Sequence, residues 1–269
     1  MRRNGDLAFG LLGATVALVF AGKALFPDAG LYRDVFSPLV LLRMGGIAKL
    51  LFLGLAWLFA SRTARRLDPD NPARRPWRLF AFGLLGFLGG QTVLSAYQVV
   101  GGVSPYPSPG DAFFLAGYPL LIYACFSFIR TYSVTGLPVG SRREHVALAL
   151  AAAALFLVTG YRLLGPVLAS DAPAIERALT AGYPALDFVM LIPILILLRI
   201  TAPFHGGRVF RAWGMLLAGM IFQSAADLFY AWFAVMGQTG LEPLVDATFI
   251  LAYALLAGGT LEHHRLLTD

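Results

Sequence analysis

The chain of 269 residues is 58% hydrophobic and only 13% charged, with a mean hydropathy of +0.71. A soluble domain carries charge on roughly a quarter of its residues. The composition therefore excludes an ordinary soluble domain and predicts an all-α, polytopic membrane helix bundle. The net charge of +6 comes mainly from arginines clustered between apolar runs. That placement indicates membrane topology rather than nucleic-acid binding.

Eight apolar segments, each near the length of about 20 residues that crosses a bilayer, predict eight transmembrane helices. Their expected bounds are 7–26, 38–61, 78–100, 111–130, 146–165, 175–199, 210–235 and 244–262. The first segment resembles a signal peptide but continues without a small-residue cleavage site, so we interpret it as a retained helix. Residues 1–269 are then a single integral membrane domain, because no soluble stretch of domain size remains.

The basic residues predict how the helices are oriented. With the N-terminus inside, fifteen of the 21 Lys and Arg residues fall in cytoplasmic segments and three fall in outer segments. Such a bias is typical of the positive-inside rule. Both termini are therefore expected in the cytoplasm, with membrane lipids surrounding the bundle.

Similar text recurs in successive helix pairs. DAFFLAGYPLL aligns without gaps to DATFILAYALL, which pairs Asp111 with Asp246 and Tyr118 with Tyr253. TAGYPAL places Tyr183 at the corresponding position of the sixth helix. These similarities predict a bundle built from repeated two-helix hairpins, of which the first is the weakest copy.

The repeat also predicts the role of its polar and breaking residues. Asp111 and Asp246 stand at the outer start of their helices, where an acid favours the helix dipole and caps free N–H groups. The proline of each AGYP motif removes an intrahelical hydrogen bond and bends the helix. Gly117 and Gly182 are expected to allow close helix approach beside that bend.

Polar side chains at membrane depth are costly and mark candidate functional residues. Counting along the helices places four of them near mid-membrane: Lys49, Gln91, Asp187 and Gln223. Four more fall in the outer half, below the two caps: Arg43, Tyr97, Asp227 and Tyr230.

These residues support two interpretations. They could line a pocket that opens outward and binds a small or lipophilic ligand, or they could be structural ion pairs that fasten the bundle. Candidate pairs are Lys49 with Asp187 and Arg43 with Asp227, and the sequence does not choose between them.

Catalytic chemistry is scarce. The four histidines fall at predicted cytoplasmic helix ends or loops, without metal-ligand spacing on a spanning helix, and are interpreted as titrating boundary residues. No G-x-S-x-G, Walker or G-x-G-x-x-G motif with a following strand occurs, and the one cysteine, Cys125, lies in an apolar helix. We therefore predict no enzyme activity, no metal and no cofactor.

The segment PYPSPGDAFFLAGYPLLIYACFSFIR resembles the N-terminal membrane region of bacterial GGDEF and GGDEF–EAL signalling proteins, which often reads P-S-x-A-D-x-x-Y-L-x-x-Y-P-L-L. AGYPALDFVMLIPILILLR, SAADLFYAWF and LVDATFILAYALLAGG continue the resemblance in order, over about residues 78–269. It implies a multi-helix sensory unit whose last helix feeds a cytoplasmic domain. The sequence contains no GGDEF or EAL signature, so cyclase activity is not implied. The chain is then either a stand-alone relative or the membrane part of a longer protein.

The leading hypothesis is a sensory or ligand-binding input unit in a bacterial cytoplasmic (inner) membrane, relaying an outer-side or bilayer signal through the eighth helix. Its candidate partners are a small or lipophilic ligand, a cytoplasmic signalling domain or protein, and a second copy of the chain. The alternatives are a small-solute transporter and a membrane enzyme acting on a lipid or isoprenoid.

Overall fold

The computed structural model describes residues 5–101, 105–137 and 139–268. Within these ranges the protein is all-α, and 86% of it is helical. The eight long helices are α1 (Gly5–Leu25), α2 (Pro38–Arg66), α3 (Arg74–Gly101), α4 (Pro109–Val134), α5 (Arg142–Leu168), α6 (Ala174–Thr201), α7 (Arg208–Met236) and α8 (Glu242–Leu266). Short helical turns precede α2, α7 and α8.

All eight predicted helices are confirmed, and each is long and apolar enough to cross a membrane. The largest difference in bounds is at the end of α2, which reaches Arg66 where the sequence predicts residue 61. That extension is polar and basic, and such side chains can follow a helix out to the headgroups. Large apolar side chains such as Leu11, Leu18 and Leu157 are about 70% exposed, as lipid-facing residues would be. The chain is a multi-pass membrane protein.

Helix α8 lies at the centre of the bundle, where it packs against α1, α2 and α7. Helix α3 packs between α2 and α4, and α6 contacts α4, α5 and α7. The predicted pairs α3–α4, α5–α6 and α7–α8 are therefore packed neighbours. The first pair differs, because α1 packs mainly on α8, where a Cβ at Gly13 would collide with Ala254.

Glycines bring α3 and α4 together. A Cβ on Gly117 would lie 2.8 Å from the carbonyl oxygen of Gly83, and one on Gly86 would lie 2.9 Å from that of Phe113. The expected close approach at Gly117 is thus confirmed. The same expectation is wrong for Gly182, where an added Cβ meets no atom of the described chain within 4 Å. Helices α4 and α6 both continue past the proline of the motif, Pro119 in α4 and Pro184 in α6.

The two ends of the bundle differ in chemistry. Lys49, Asp111 and Asp246 lie at one end, which we call the pocket end. The opposite end, which we call the arginine-rich end, contains Arg66 and the contact between Arg208 and Glu262. Helix α8 reaches both, because the 16 residues from Asp246 to Glu262 span about 24 Å.

Candidate functional site

A cavity of about 240 Å³ lies inside the pocket end. It is bordered by side chains from α2, α3, α4, α6, α7 and α8 and from the loop before α4. Five tyrosines line it: Tyr106, Tyr118, Tyr183, Tyr230 and Tyr253. A larger and more open depression of about 450 Å³, which includes Arg75 and Arg130, lies on the surface between α3 and α4. The arginines of this surface depression are exposed, so we take the inner cavity of the pocket end as the candidate site.

Helices α4 and α6 exchange hydrogen bonds at the cavity wall. The Tyr118 hydroxyl of α4 donates to Asp187 Oδ1 of α6 at 2.7 Å. In the opposite sense, the Tyr183 hydroxyl of α6 donates to Asp111 Oδ1 of α4 at 2.5 Å. The AGYP motif of each helix thus supplies a tyrosine that satisfies an aspartate of the other helix. This reciprocal contact holds two buried carboxyls beside the cavity.

Asp111 is a helix cap, as the sequence predicts, and it is also part of the cavity wall. Its Oδ2 accepts from the backbone N–H of Ser108 at 2.6 Å, while the Ser108 side chain accepts from the N–H of Gly110 at 3.1 Å. This is a capping box at the start of α4. Because the cap uses Oδ2 and Tyr183 uses Oδ1, both carboxylate oxygens are occupied.

Both predicted charge pairs are wrong. Lys49 Nζ donates to Asp246 Oδ1 at 2.8 Å, and not to Asp187. The reason is that α8, which carries Asp246, packs directly on α2. The predicted cap at Asp246 is also wrong, because α8 begins at Glu242 without a side-chain cap and Asp246 lies a full turn inside. Lys49 also lies 6.0 Å from the centre of the Phe249 ring.

Helix α7 contributes a glutamine and an aspartate one turn apart. Gln223 Nε2 donates to Asp227 Oδ2 at 3.0 Å, and the carboxyl of Asp227 adjoins that of Asp187. Two buried oxygens of this group accept no hydrogen bond from any described residue: Gln223 Oε1 and Asp187 Oδ2. The described part of the site therefore holds two buried acceptors that no described side chain or backbone group fills.

Tyr106 closes the cavity from the loop before α4. Its hydroxyl lies 2.9 Å from Thr180 Oγ1, and its ring contacts that of Tyr230 edge-on with centroids 6.0 Å apart. Burial raises the pKa of the Tyr106 phenol far above its usual range. The hydroxyl therefore stays neutral at physiological pH.

Most of the residues predicted for the site do meet there. Those that line the cavity are Lys49, Gln91, Gln223, Asp227 and Tyr230, together with the two predicted caps Asp111 and Asp246. Asp187 is buried directly behind Tyr118.

Two predicted site residues point elsewhere. Arg43 and Tyr97 are exposed and do not line the cavity, so the proposed Arg43–Asp227 pair does not form. Arg43 is six residues from Lys49, and Tyr97 is six residues from Gln91. Six residues turn a helix by about 240°, which places the two side chains on different faces.

Sequence reasoning missed several residues of the cavity wall. Tyr118, Tyr183 and Tyr253 were recognised only as members of the repeat, yet all three face the cavity. Helical spacing could have found others. Gln98 lies seven residues after Gln91, and Phe249 lies three after Asp246, so each shares a helix face with a predicted site residue.

The arginine-rich end is fastened by a buried carboxylate. Glu262 of α8 has a side chain only 2% exposed, and it accepts from Arg208 Nε at 2.8 Å and Arg211 Nη2 at 2.9 Å. The next residue, His263, lies between Trp77 and Trp213, with both ring centroids 4.9 Å away. The interpretation of His263 as a titrating boundary residue is therefore wrong, because the packing buries it.

Within the described ranges, no group of three or more His, Cys, Asp and Glu side chains is placed to hold a metal ion. No family model, curated protein or solved structure matches the chain. The fold and the site together define a class, namely a multi-pass helical membrane protein with a polar, aromatic cavity at one end of its bundle.

Proposed function

We propose that the protein is a ligand-binding input unit of a signalling system in a bacterial cytoplasmic membrane. A small ligand enters the cavity from the outer side or from the bilayer. Its occupancy biases the position of α8, which a cytoplasmic partner or domain reads at the arginine-rich end. The resemblance of residues 78–269 to membrane regions of GGDEF proteins supports such a partner.

The observation that carries this proposal is the placement of α8. Near its start it contributes Asp246, Phe249 and Tyr253 to the cavity wall. Near its end it contributes Glu262 and His263 to the contacts at the arginine-rich end. A single continuous helix thus connects the candidate site to a second cluster about 24 Å away.

A ligand shifts such an equilibrium only if it binds one helix arrangement better than another. Lys49 and Asp246 join α2 to α8 across the cavity wall, and the face of Phe249 is beside them. An occupant that competes for Asp246 would alter this α2–α8 contact. Helix shifts of about 1–2 Å are typical of such responses.

Spin labels test the relay. Leu267→Cys follows the end of α8 and Val134→Cys ends α4; both positions are exposed, whereas the native Cys125 is buried. The probes are butylammonium, butyrate and butanol added to the labelled protein in nanodiscs. We expect a compound that raises the melting temperature to change the label separation by about 1–2 Å. Binding without any change in separation would overturn the relay.

The proposed orientation places the arginine-rich end in the cytoplasm, in keeping with the positive-inside bias. In Asp28→Cys, the introduced cysteine lies in the exposed loop before α2 and should react with an impermeant maleimide in intact cells, whereas the native Cys125 is buried. A cysteine at Val134 should react only after permeabilisation. The reverse pattern would invert the topology and place the pocket inside.

A second candidate function is a small-solute transporter. The specific observation in its favour is the adjoining pair of carboxyls formed by the buried Asp187 and the half-buried Asp227, because intramembrane acids are frequent in proton-coupled transport. Flux into proteoliposomes separates the two functions. A sensor accumulates none of its ligand, whereas protein-dependent uptake that ends with Asp187→Asn would establish the transporter.

A further inference from the structure

The cavity has three properties that together define the chemistry of its ligand. They are the nature of its rings, the balance of its charges and the identity of its unsatisfied atoms. The inference rests on the proposed function only in taking this cavity as a ligand site.

The rings are suited to a cation. Five tyrosines and two phenylalanines, Phe114 and Phe249, border a volume of about 240 Å³. Aromatic faces attract ammonium groups through the ring quadrupole, and desolvated sites do so most strongly. The volume is below the roughly 300–1,000 Å³ typical of drug-sized ligands, so the ligand is small.

The charges are unbalanced toward acid. Asp111, Asp227 and Asp246 line the cavity and Asp187 stands behind it, whereas Lys49 is its one basic side chain among the described lining residues. Lys49 is already joined to Asp246 at 2.8 Å. Among the described residues the remaining carboxyls have only neutral hydrogen-bond partners: hydroxyls, the Gln223 amide and a backbone N–H. A cationic occupant would compensate them.

The unsatisfied atoms distinguish between kinds of cation. Gln223 lines the cavity and is 4% exposed, yet its Oε1 accepts nothing from the described residues. Asp187 Oδ2, 1% exposed and beside Asp227, is likewise without a donor. The orientation of Gln223 is set by its Nε2, which donates to Asp227. A ligand with N–H groups can fill these acceptors, whereas quaternary ammonium ions have no N–H to donate.

We propose that the cavity binds a small protonated amine, R–NH3⁺, whose N–H groups donate to Gln223 Oε1 and to the Asp187–Asp227 carboxyls while its carbon chain packs on the aromatic rings. The same chemistry is offered by a free alkylamine and by the headgroup of an ethanolamine lipid.

Calorimetry of the full chain in phosphatidylcholine nanodiscs tests the ligand class. Butylammonium should bind saturably, tetramethylammonium at least tenfold more weakly, and butyrate and butanol not measurably. If tetramethylammonium binds as well as butylammonium, donation by N–H is wrong. If no amine saturates, the ligand class is wrong.

Two variants locate the binding. Asp227→Asn and Gln223→Met should each weaken butylammonium at least tenfold, and Asp28→Asn, an exposed acid outside the cavity, should not. Should Asp227→Asn fail to fold, Gln223→Met still decides, because it removes the spare acceptor, together with the Nε2 donor to Asp227, without altering charge. Unchanged affinity in Gln223→Met would overturn the proposal.

Calorimetry in a second set of nanodiscs, which contain phosphatidylethanolamine, distinguishes a lipid headgroup from a free amine as the ligand. If the lipid is the ligand, it competes and the apparent affinity for butylammonium falls in the natural chain. If a free amine is the ligand, the affinity is unchanged. Both results support the chemistry.

Failure here is distinguishable from failure of the proposed function. Binding of butylammonium without movement of the α8 labels would retain the ligand class and overturn the relay. If butyrate or butanol moves the labels and no amine binds, the relay is retained and the ligand class is overturned.

Discussion

The two ends of the bundle differ in whether their acidic side chains are paired with cations. At the arginine-rich end one carboxylate, Glu262, is held by two guanidinium groups at 2.8 and 2.9 Å. Four carboxyls lie at the cavity of the pocket end, those of Asp111, Asp187, Asp227 and Asp246, and among the described residues only Asp246 pairs with a cation, Lys49. Within the described chain, the carboxylate of the first end is therefore compensated by cations, and three of the four at the cavity are not.

This difference distinguishes a carboxylate that the chain itself compensates from carboxyls that we propose bind a ligand. An intramembrane carboxylate that is matched by cations of its own chain fastens helices. A group of carboxyls with unsatisfied oxygens beside a cavity is stabilised by a proton or by a cation that enters. Of the two interpretations that the sequence left open for the polar residues at the pocket end, one ion pair does form, between Lys49 and Asp246. The ligand pocket stays a proposal.

Removal of both arginines is the strongest way to break the comparison. In Arg208→Ala/Arg211→Ala, Glu262 stays buried without its cations, and we expect unfolding to become easier by about 3 kcal/mol. Detergent-titration unfolding measures the change. Adding Glu262→Gln to the double variant should recover about half of it, because the uncompensated charge is gone. A double variant as stable as the natural chain would show that this end is not held by charge.

The pocket end is expected to be held by helix packing instead. Gly117→Ala places a Cβ 2.8 Å from the Gly83 carbonyl oxygen and should cost about 2 kcal/mol as α3 and α4 separate. The matched control is Gly182→Ala in the second AGYP motif, where the added Cβ meets open space. There the change should stay within about 0.5 kcal/mol. Equal losses would mean that the motif itself, and not the glycine contact, sets stability.

Neutralising one acid at each end sharpens the contrast. Glu262→Gln keeps both acceptor contacts but loses their charge, so stability should fall by about 1–2 kcal/mol. Asp187→Asn should leave stability unchanged or raise it. Its amide oxygen still accepts from Tyr118, and its new N–H can donate to Asp227. Melting temperatures of the two variants give the test, and a drop in Asp187→Asn as large as that in Glu262→Gln would make both ends structural.

The fold was largely predictable because hydropathy alone defines a spanning helix. Apolar runs separated by arginines and prolines locate all eight helices, with differences of at most five residues at their ends. The α1 packing was not predictable, because contact with α8 depends on Gly13 meeting Ala254 at the far end of the chain.

The candidate site was predictable in depth but not in direction. Counting along a helix predicts how far a residue lies from the membrane surface, and it grouped Gln91 and Gln223, which do line the same cavity. It does not show which face of the helix a residue occupies unless the helical period is also followed. For that reason Arg43 and Tyr97 were wrongly included in the predicted site. Which acid Lys49 meets depends on α2 packing beside α8, a neighbour that sequence order does not indicate.

The smallest predicted effect concerns Lys49 and Arg43, which the sequence treats as equivalent basic residues of α2. Lys49→Gln removes a buried cation from Asp246, whose side chain is 31% exposed and can be partly solvated, so the cost should be about 1 kcal/mol. Arg43→Gln changes an exposed side chain off the cavity and should stay within about 0.5 kcal/mol. Chemical unfolding of the two variants under identical conditions gives the comparison. Since Lys49 is the only basic group among the described cavity-lining residues, its removal should also strengthen butylammonium binding, whereas Arg43→Gln should not. Tighter amine binding in both variants would mean that the overall charge of α2, and not the local balance inside the cavity, governs the site.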